Sequence, residues 1–383
     1  MNNRTWVSIT PFPIAAFLIA VCISLSALAG AADFTISYEK YYDKVLGEWQ
    51  GKCCGAALGM PIKGWNYRRI AKEYGEIHDY IARKPVPGFG PEDATTYQII
   101  GLHSLEEFGS DVTSEQLAGE WLNHLDGAMA PLAEQIAYRK IRDGIMPPES
   151  GKHSASEAIG GQMKAEIWGL VCPGDPARAA DYGRRDGIVA HAGNGVYGEM
   201  FMAAVAAEAF RYDAVSWKGD PKKANADIRR LLEAGLRQIP ADCQYAAVVR
   251  WVMQMNQDGV PWREALRRIA EKYPSPCNPV FGDAGIVCLG LLYGDGDFEK
   301  SLCITAMCGQ ETECDTANVG AVLGCLHGAK ALPEKWTKPL GNSFRCFGKN
   351  LLNWTDWKIT ELAAQICRTG AWVSPDTVER PVR

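Results

Sequence analysis

The sequence lacks the features that are typical of nucleic-acid-binding proteins and of sheet proteins. Acidic and basic residues are mixed, the formal net charge is −5, and no long run of Lys or Arg occurs. Binding to a phosphate backbone requires clustered positive charge, so we expect no nucleic-acid partner. Runs that alternate apolar and polar residues between hairpin turns are scarce, and no βαβ rhythm is present. The sequence therefore predicts an all-α protein.

The usual zinc-binding motifs are also missing. No C-x-x-C pair and no H-E-x-x-H occurs, although the chain contains 13 cysteines. Cys288, Cys303, Cys308 and Cys325 fall within apolar helical patterns, where cysteine usually acts as a small buried hydrophobic residue. The cysteine pattern therefore favours a packing role over a zinc site, and it leaves any disulfide pairing unassigned.

Only one stretch of the chain is a long unbroken apolar run, and it lies at the N-terminus. Residues 14–23 are all apolar, Arg4 is the only charge before Asp33, and small residues fill 26–32. This pattern predicts a secretory signal peptide over residues 1–31, with cleavage after Ala29 or Ala31. The alternative is an uncleaved membrane anchor, but a span needs about 20 apolar residues. We expect an exported protein, periplasmic or extracellular, without a membrane span after cleavage.

The remaining chain, 32–383, shows the helical period throughout. A first helix is predicted over 41–59, a second from Asp93 to Gly109, and a third behind the N-cap Thr113. Further helices are predicted at about 130–143, 155–168, 198–212, 222–237, 242–257, 261–272, 284–293, 297–308, 315–330 and 355–368. No connection has the length or polarity of a linker, so we predict one domain.

Two sets of glycines recur at intervals of four residues. They are Gly51, Gly55 and Gly59 in the first set, and Gly320, Gly324 and Gly328 in the second. A spacing of four keeps glycines on one face of a helix, and each glycine costs a helix about 1 kcal/mol against alanine. Unless the spacing is accidental, we expect these two helices to pack closely in the centre of the fold.

Two acidic clusters precede predicted helices, one over 91–97 and one over 309–316. Acidic residues are favoured at helix N-termini, so two unrelated caps would explain them. The second cluster is denser than a cap requires, because Glu311, Glu313 and Asp315 repel one another unless a cation binds. If the clusters meet, their oxygens would form a site for a hard cation such as Mg²⁺ or Ca²⁺.

Four segments resemble the ADP-ribosylglycohydrolase family. They are the glycine-rich segment 51–61, residues 92–95 where the family has Thr-Asp-Asp-Thr, the Gly-Asn-Gly segment within 191–200, and residues 311–314 where the family has Asp-x-Asp-Thr. They occur in order between Tyr41 and Trp336. The resemblance implies a single-domain orthogonal helical bundle over 32–383. It also implies a pair of Mg²⁺ ions between the acidic motifs and hydrolysis of glycosidic bonds to ADP-ribose.

The resemblance further implies roles for individual residues. The implied ligands of one or two Mg²⁺ ions are Glu92, Asp93, Thr95, Glu311, Glu313 and, as a substitute, Asp315. The candidates for the carboxylate that takes a proton from a metal-activated water are Glu313, Asp93 and Glu311. The candidates for substrate binding are His191, Gly193, Asn194, Gly195, Tyr97 and Tyr197. A lone histidine is more often structural, and the tyrosines fit the core equally well.

Several positions depart from the family pattern. Ala94 replaces an aspartate ligand, Cys314 replaces a threonine, and both Glu311 and Glu313 replace aspartates. Lys63 stands where many relatives have a glutamate near the pocket, and Ala57 where many have an aspartate. We therefore consider two functions. One is a metal-dependent hydrolase that acts on an ADP-ribosyl compound or a related small glycoside, and the other is a non-catalytic ligand-binding protein on the same scaffold with an eroded metal site.

Overall fold

The computed structural model describes residues 34–81, 90, 93–128, 130–274, 277–346, 348 and 357–379, and residues 35–383 group into one compact unit. Seventeen α-helices lie in these ranges. They are α1 (Tyr38–Gly59), α2 (Tyr67–Tyr74), α3 (Asp93–Phe108), α4 (Ser114–His124), α5 (Leu132–Arg142), α6 (Gly160–Met163), α7 (Glu166–Val171), α8 (Pro176–Ala190), α9 (Asn194–Ala209), α10 (Pro221–Leu236), α11 (Gln244–Gln257), α12 (Trp262–Lys272), α13 (Phe281–Tyr293), α14 (Phe298–Cys308), α15 (Thr312–His327), α16 (Glu334–Leu340) and α17 (Ile359–Val373). Short 3₁₀ helices cover Met60–Ile62, Ala214–Trp217 and Ala329–Ala331.

Strands in the described ranges are short and peripheral. They are β1 (Ile36–Ser37), β2 (Ser343–Phe344), β3 (Trp357–Lys358) and β4 (Val378–Glu379). β1 pairs with β4 in parallel, and β2 pairs with β3 in antiparallel register. The all-α prediction is confirmed.

Three helices were not predicted, namely α2, α8 and α16, and the predicted helix over 155–168 is instead the short pair α6 and α7. α8 shows why the helical period was hidden. Gly183 and Gly187 of this helix lie against α9, near Glu199 and Val196. The packed face of α8 therefore carries glycine in place of the large apolar residues that reveal a helix in a sequence.

Among the described helices, α1 and α15 share the most extensive contact, and glycine makes it possible. A Cβ atom on Gly51 would overlap with the carbonyl oxygen of Gly320, and a Cβ on Gly320 would overlap with that of Gly51. Gly55 lies in the same way against Thr316 and Gly59 against Thr312, so the helices run antiparallel. The predicted central glycine contact is confirmed.

The ends of the glycine contact differ from the prediction. Gly47 of α1, which the sequence analysis left out, lies against Gly324. Gly328 does not belong to the helical face, because it ends α15 with φ of 74°. A positive φ carries little steric cost for glycine, because glycine lacks a Cβ atom. Gly328 continues the four-residue spacing in the sequence, but in the structure it ends the helix α15.

A buried ionic network fixes α3 and α7 against this central pair. The Glu166 carboxylate of α7 contacts the Lys52 ammonium of α1 at 3.2 Å and accepts a hydrogen bond from Gln98 of α3 at 3.0 Å. Asn318 of α15 donates to its other oxygen. Leaving a buried charge without a partner costs several kcal/mol, so this network holds the start of α3 close to the start of α15.

The predicted signal peptide, residues 1–31, lies outside the described residues, and its cleavage stays a prediction. In the ranges that the structure describes, no helix combines the length and the apolar character that crossing a bilayer requires.

Gly320→Ala tests the central helix contact. The new methyl group would overlap with the backbone of α1, so we expect the free energy of unfolding to fall by about 3 kcal/mol. Gly119→Ala in α4 is the matched control, because no atom lies within 4 Å of the position of its Cβ. The control should gain about 0.5 to 1 kcal/mol from helix propensity. Urea unfolding measures both, and equal stability of the two variants would contradict the close contact.

Candidate metal centre

The turn before α15 is paired with the segment that follows α1. The Gly64 amide donates to the Gln310 carbonyl at 2.8 Å, and the Gln310 amide donates to the Trp65 carbonyl at 2.7 Å. Gly309 has φ of 81°, and a side chain there would press on the Trp65 carbonyl oxygen at 2.6 Å. This pairing brings Lys63 beside the first turn of α15.

Lys63 lies between two carboxylates of the second acidic cluster. Its Nζ is 2.7 Å from Oε2 of Glu313 and 3.6 Å from Oε2 of Glu311. The Glu313 side chain is 1% exposed, whereas that of Glu311 is 14% exposed and that of Lys63 is 38% exposed. Glu313 is therefore enclosed by protein, and Glu311 and Lys63 are the members that solvent reaches.

Asp93, the first residue of α3, reaches the same place. One oxygen of Asp93, one oxygen of Glu313 and the sulfur of Cys314 lie within 4.8 Å of one another. The Cys314 thiol donates to Oε2 of Glu313 at 3.1 Å. The two acidic clusters thus meet in space, although they are far apart in the sequence. We call Lys63, Asp93, Glu311, Glu313 and Cys314 the Lys63 cluster. The roles of Asp93, Glu311 and Glu313 as ligands or catalytic groups stay predictions.

Two further residues of the first acidic cluster, Glu92 and Thr95, were predicted as metal ligands. Glu92 lies outside the described residues. Thr95 is 1% exposed and lies in the first turn of α3. The neighbouring Ala94 is fully buried and offers no ligand atom, so the described part of this cluster contributes one carboxylate, that of Asp93.

The cluster alters the protonation of its own members. Burial by itself would lower the pKa of the Lys63 ammonium, but the neighbouring Cys314, Glu313 and Asp93 side chains raise it above its usual value. Burial, followed by the negative charge of Glu313, raises the pKa of the Cys314 thiol well above its usual range. At neutral pH the site therefore contains a charged ammonium and a neutral thiol.

A second pair of acids lies deeper in the protein. Asp315 of α15 and Asp283 of α13 are fully buried, and their carboxylate oxygens have no hydrogen-bond partner of good geometry in the described ranges. Burial raises the pKa of both carboxyl groups well above the usual range. Repulsion from Glu311 adds to this effect for Asp283, and repulsion first from Asp283 and then from Glu311 adds to it for Asp315. Asp315 therefore lies beside the Lys63 cluster with Asp283 as its neighbour.

Asp283 was not among the site residues predicted from the sequence. It stands in the first turn of an apolar helix, where an acid is expected for capping alone. One sequence feature could have identified it. The rest of α13 is apolar, as expected for a buried helix, so an acid within it is expected to be buried as well. The contacts of Lys63 were also unforeseen, because they depend on a loop pairing that leaves no pattern in the sequence.

The Gly-Asn-Gly segment is used largely for internal contacts. The His191 ring is buried, and its two nitrogens contact the Ser156 carbonyl at 3.2 Å and Glu134 at 3.1 Å. The Asn194 amide donates to Glu157 at 2.7 Å and accepts from the Tyr245 backbone at 3.0 Å. Both side chains therefore hold the start of α9 in place.

The glycines of this segment differ in exposure. Gly193 is exposed with φ of 55° and precedes α9, whereas Gly195 is buried against the Ser156 carbonyl. Only Gly193 presents its backbone to solvent, so it is the member of the pair that a ligand would reach first.

The two tyrosine candidates also differ. Tyr97 is 2% exposed and its ring packs on Trp121 with 4.9 Å between centroids, so it belongs to the core. Tyr197 is partly exposed and lines a cavity of about 580 Å³ together with His191, Gly193 and Met200. The residues that line this cavity do not include those of the Lys63 cluster.

The comparisons with known proteins decide the family. The model of the ADP-ribosylglycohydrolase family matches residues 37–370. The chain belongs to the ADP-ribosylglycohydrolase family. An uncharacterized protein of Archaeoglobus fulgidus is 23% identical over 313 residues, which cover 79% of this chain and 92% of that protein. A solved structure described as an ADP-ribosylglycohydrolase-related protein complex has a TM-score of 0.58 at 17% identity, over 88% of this chain and 99% of that one.

ADP-ribosylglycohydrolases are typically metal-dependent, and the donor set of this member fits a hard cation. Asp93, Glu311 and Glu313 supply oxygen atoms, which Mg²⁺ and Ca²⁺ prefer. The three carboxylates face one ammonium, that of Lys63. Behind them the carboxylate of Asp315 and the hydroxyl of Thr316 are buried without a hydrogen-bond partner in the described ranges. Buried oxygen atoms without donors are the observation that fits a cation.

Lys63→Gln tests whether the ammonium competes with a divalent cation. The amide removes a positive charge that contacts Glu313, so we expect Mg²⁺ to bind at least about 10-fold more tightly. Isothermal titration calorimetry with MgCl₂ measures the dissociation constant of parent and variant. Lys330→Gln is the control, because Lys330 also pairs with a glutamate but is 73% exposed. Weaker Mg²⁺ binding by Lys63→Gln would show that the ammonium supports the site instead.

Proposed function

We propose that this ADP-ribosylglycohydrolase family member is a hydrolase that cleaves a glycosidic bond with the help of one divalent cation, Mg²⁺ in the first instance. The observation that carries the proposal is the convergence of Asp93, Glu311 and Glu313 around Lys63. Among the residues that the structure describes, these three carboxylates adjoin one ammonium, so negative charge is in excess there. A partly closed site favours a second cation under these conditions, because Coulomb attraction is stronger there than in water.

Asp93 and Glu313 are the proposed holders of the cation. Their oxygens lie within 4.8 Å of one another. Two oxygens that share an ion with bonds of about 2.1 Å lie at most about 4.2 Å apart, so these side chains need at most a small shift to share one. When bound, the cation would polarise a water molecule and the ribose hydroxyls of the substrate. Lys63 supplies the second positive charge in place of a second ion, and its ammonium contacts the enclosed Glu313 at 2.7 Å.

Glu311 is the proposed general base. A base must reach the water whose proton it takes, and the Glu311 side chain is 14% exposed where that of Glu313 is 1% exposed. Glu313 is also held by Lys63 at 2.7 Å and by Cys314 at 3.1 Å. Glu311 has only the longer 3.6 Å contact with Lys63, so it is the freer of the two carboxylates.

The proposed substrate is an ADP-ribosyl compound or a related small glycoside. The family relationship supports the ADP-ribosyl part. We also propose that the chain is exported, which the apolar run at 14–23 supports. Mass spectrometry of the N-terminus of the secreted protein tests that part, since an intact N-terminus in the cytoplasm would contradict it.

A non-catalytic binding protein is the second candidate, and one contact favours it. The Lys63 ammonium already lies 2.7 Å from Glu313, where a metal ligand would otherwise contact its ion. Ala94 removes a ligand that the family pattern supplies. In this alternative, the ammonium takes the place of the cation altogether, and the protein neither takes up Mg²⁺ nor hydrolyses a glycoside.

Glu313→Gln separates the two candidates. The amide keeps the shape of the side chain and removes the enclosed charge, so we expect Mg²⁺ binding to weaken at least about 10-fold. Hydrolysis should fall at least about 100-fold. Calorimetry with MgCl₂ measures binding, and release of product from ADP-ribosyl-arginine, ADP-ribosyl-serine and nitrophenyl glycosides measures activity.

Glu361→Gln is the matched control for this substitution, because the Glu361 side chain is 67% exposed at the start of α17. It should leave binding and activity unchanged. If the parent takes up no Mg²⁺ at millimolar concentration and releases no product from any of these substrates, the hydrolase proposal is wrong and the binding protein is favoured.

A further inference from the structure

A second cluster of metal-ligand side chains lies outside the Lys63 cluster. His103 of α3 and the pair Glu120 and His124 of α4 place one ligand atom each within 4.8 Å of one another. His103 follows Asp93 by ten residues on the same helix, which corresponds to about 15 Å along the helix axis. The cluster is therefore separate from the carboxylates at the start of α3.

The distances in this cluster match those between ligands of one ion. Nε2 of His103 is 3.0 Å from Oε2 of Glu120, and Nε2 of His124 is 3.1 Å from the same oxygen. In a tetrahedral zinc site with bonds of about 2.0 Å, neighbouring ligand atoms are about 3.3 Å apart. Both observed distances are close to this separation between ligand atoms.

The direction of the Glu120 carboxylate supports the same interpretation. The Glu120 side chain is 6% exposed, and within the described part of the chain its Oε2 has no aligned hydrogen bond despite the two short contacts. Its other oxygen, Oε1, accepts a hydrogen bond from Asn123 at 3.0 Å. Ligating carboxylates are commonly oriented by such an outer partner. The bond to Asn123 leaves Oε2 directed at the two imidazoles.

The local structure makes this arrangement rigid. Glu120 and His124 are four residues apart, so they lie on one face of α4, and the Thr113 capping box fixes the start of that helix. The two imidazole rings meet edge to face with 5.0 Å between centroids. The His103 side chain is 28% exposed, so an ion can reach the cluster from solvent.

We propose that His103, Glu120 and His124 bind a divalent transition-metal ion of the zinc class. Two imidazole nitrogens and one carboxylate oxygen suit Zn²⁺, whereas Mg²⁺ and Ca²⁺ prefer oxygen ligands. No contiguous zinc motif marks these residues in the sequence, because they come from two helices. Three protein ligands leave one tetrahedral position for water or another ligand, as in zinc sites that are not purely structural.

Titration with Co²⁺ tests the proposal on the full-length mature protein after treatment with a chelator. Co²⁺ in a four- or five-coordinate site with nitrogen ligands absorbs visible light strongly, and Zn²⁺ should abolish the bands by displacement. Millimolar Mg²⁺ is present throughout to occupy the oxygen ligands of the Lys63 cluster. We expect one equivalent of Co²⁺ to give these bands, and Zn²⁺ alone to raise the melting temperature of the protein.

Variants assign the bands to the proposed ligands. His103→Ala and Glu120→Gln should each weaken Zn²⁺ binding at least about 100-fold and remove the Zn²⁺-dependent rise in melting temperature. Asn123→Ala should weaken it about 10-fold, as expected for an outer partner. His78→Ala is the matched control, since His78 is an exposed histidine outside the cluster, and it should bind as the parent does.

The proposal is overturned by either of two results. The parent shows no visible Co²⁺ bands, in which case the cluster is only a structural set of polar contacts between α3 and α4. Alternatively, His103→Ala keeps the bands and the affinity for Zn²⁺, in which case the ion is bound elsewhere. His103 is partly exposed, so its substitution should leave the fold intact, and circular dichroism checks this.

Discussion

The arrangement of the whole site depends on the backbone contact between α1 and α15. Two helices approach this closely only where side chains are missing, and Gly51 and Gly320 provide that gap. The contact ends at Gly59 and Thr312, where the Thr312 hydroxyl donates to the Gly59 carbonyl at 2.8 Å. Beyond this point α1 gives way to the segment with Lys63, and Glu311 and Glu313 flank Thr312, the first residue of α15. The glycine contact therefore sets the distance between the ammonium and its carboxylates.

The second constraint is the concentration of acid around the first turn of α15. Glu313 is enclosed and paired with Lys63, while Asp283 and Asp315 are buried close together behind it. Repulsion among buried carboxylates opposes folding unless protons or cations are taken up. Buried acidic groups that destabilise a fold in this way are common at functional sites. The family relationship and the oxygen donor set both favour a cation as the group that relieves it.

The sequence predicted those parts of the fold that depend on regular patterns. The helical period and the four-residue glycine spacing indicated the all-α fold and the central pair, and the resemblance indicated the meeting of Asp93 with Glu313. Helix α8 was missed because Gly183 and Gly187 hide its packed face. Asp283 was missed because an acid at a helix start is ordinarily a cap. Lys63 was placed near the pocket, but its contact with Glu313 depends on the pairing of Gly64 and Trp65 with Gln310, which is a long-range feature.

The most direct test of a cation shared by the two acidic clusters is anomalous diffraction from crystals grown with Mn²⁺, which stands in for Mg²⁺ and scatters anomalously. We predict one anomalous peak with bonds of about 2.2 Å to oxygens of both Asp93 and Glu313. The Lys63 ammonium should then be displaced toward Glu311. A structure with the Lys63–Glu313 contact intact and no peak between Asp93 and Glu313 would contradict the account.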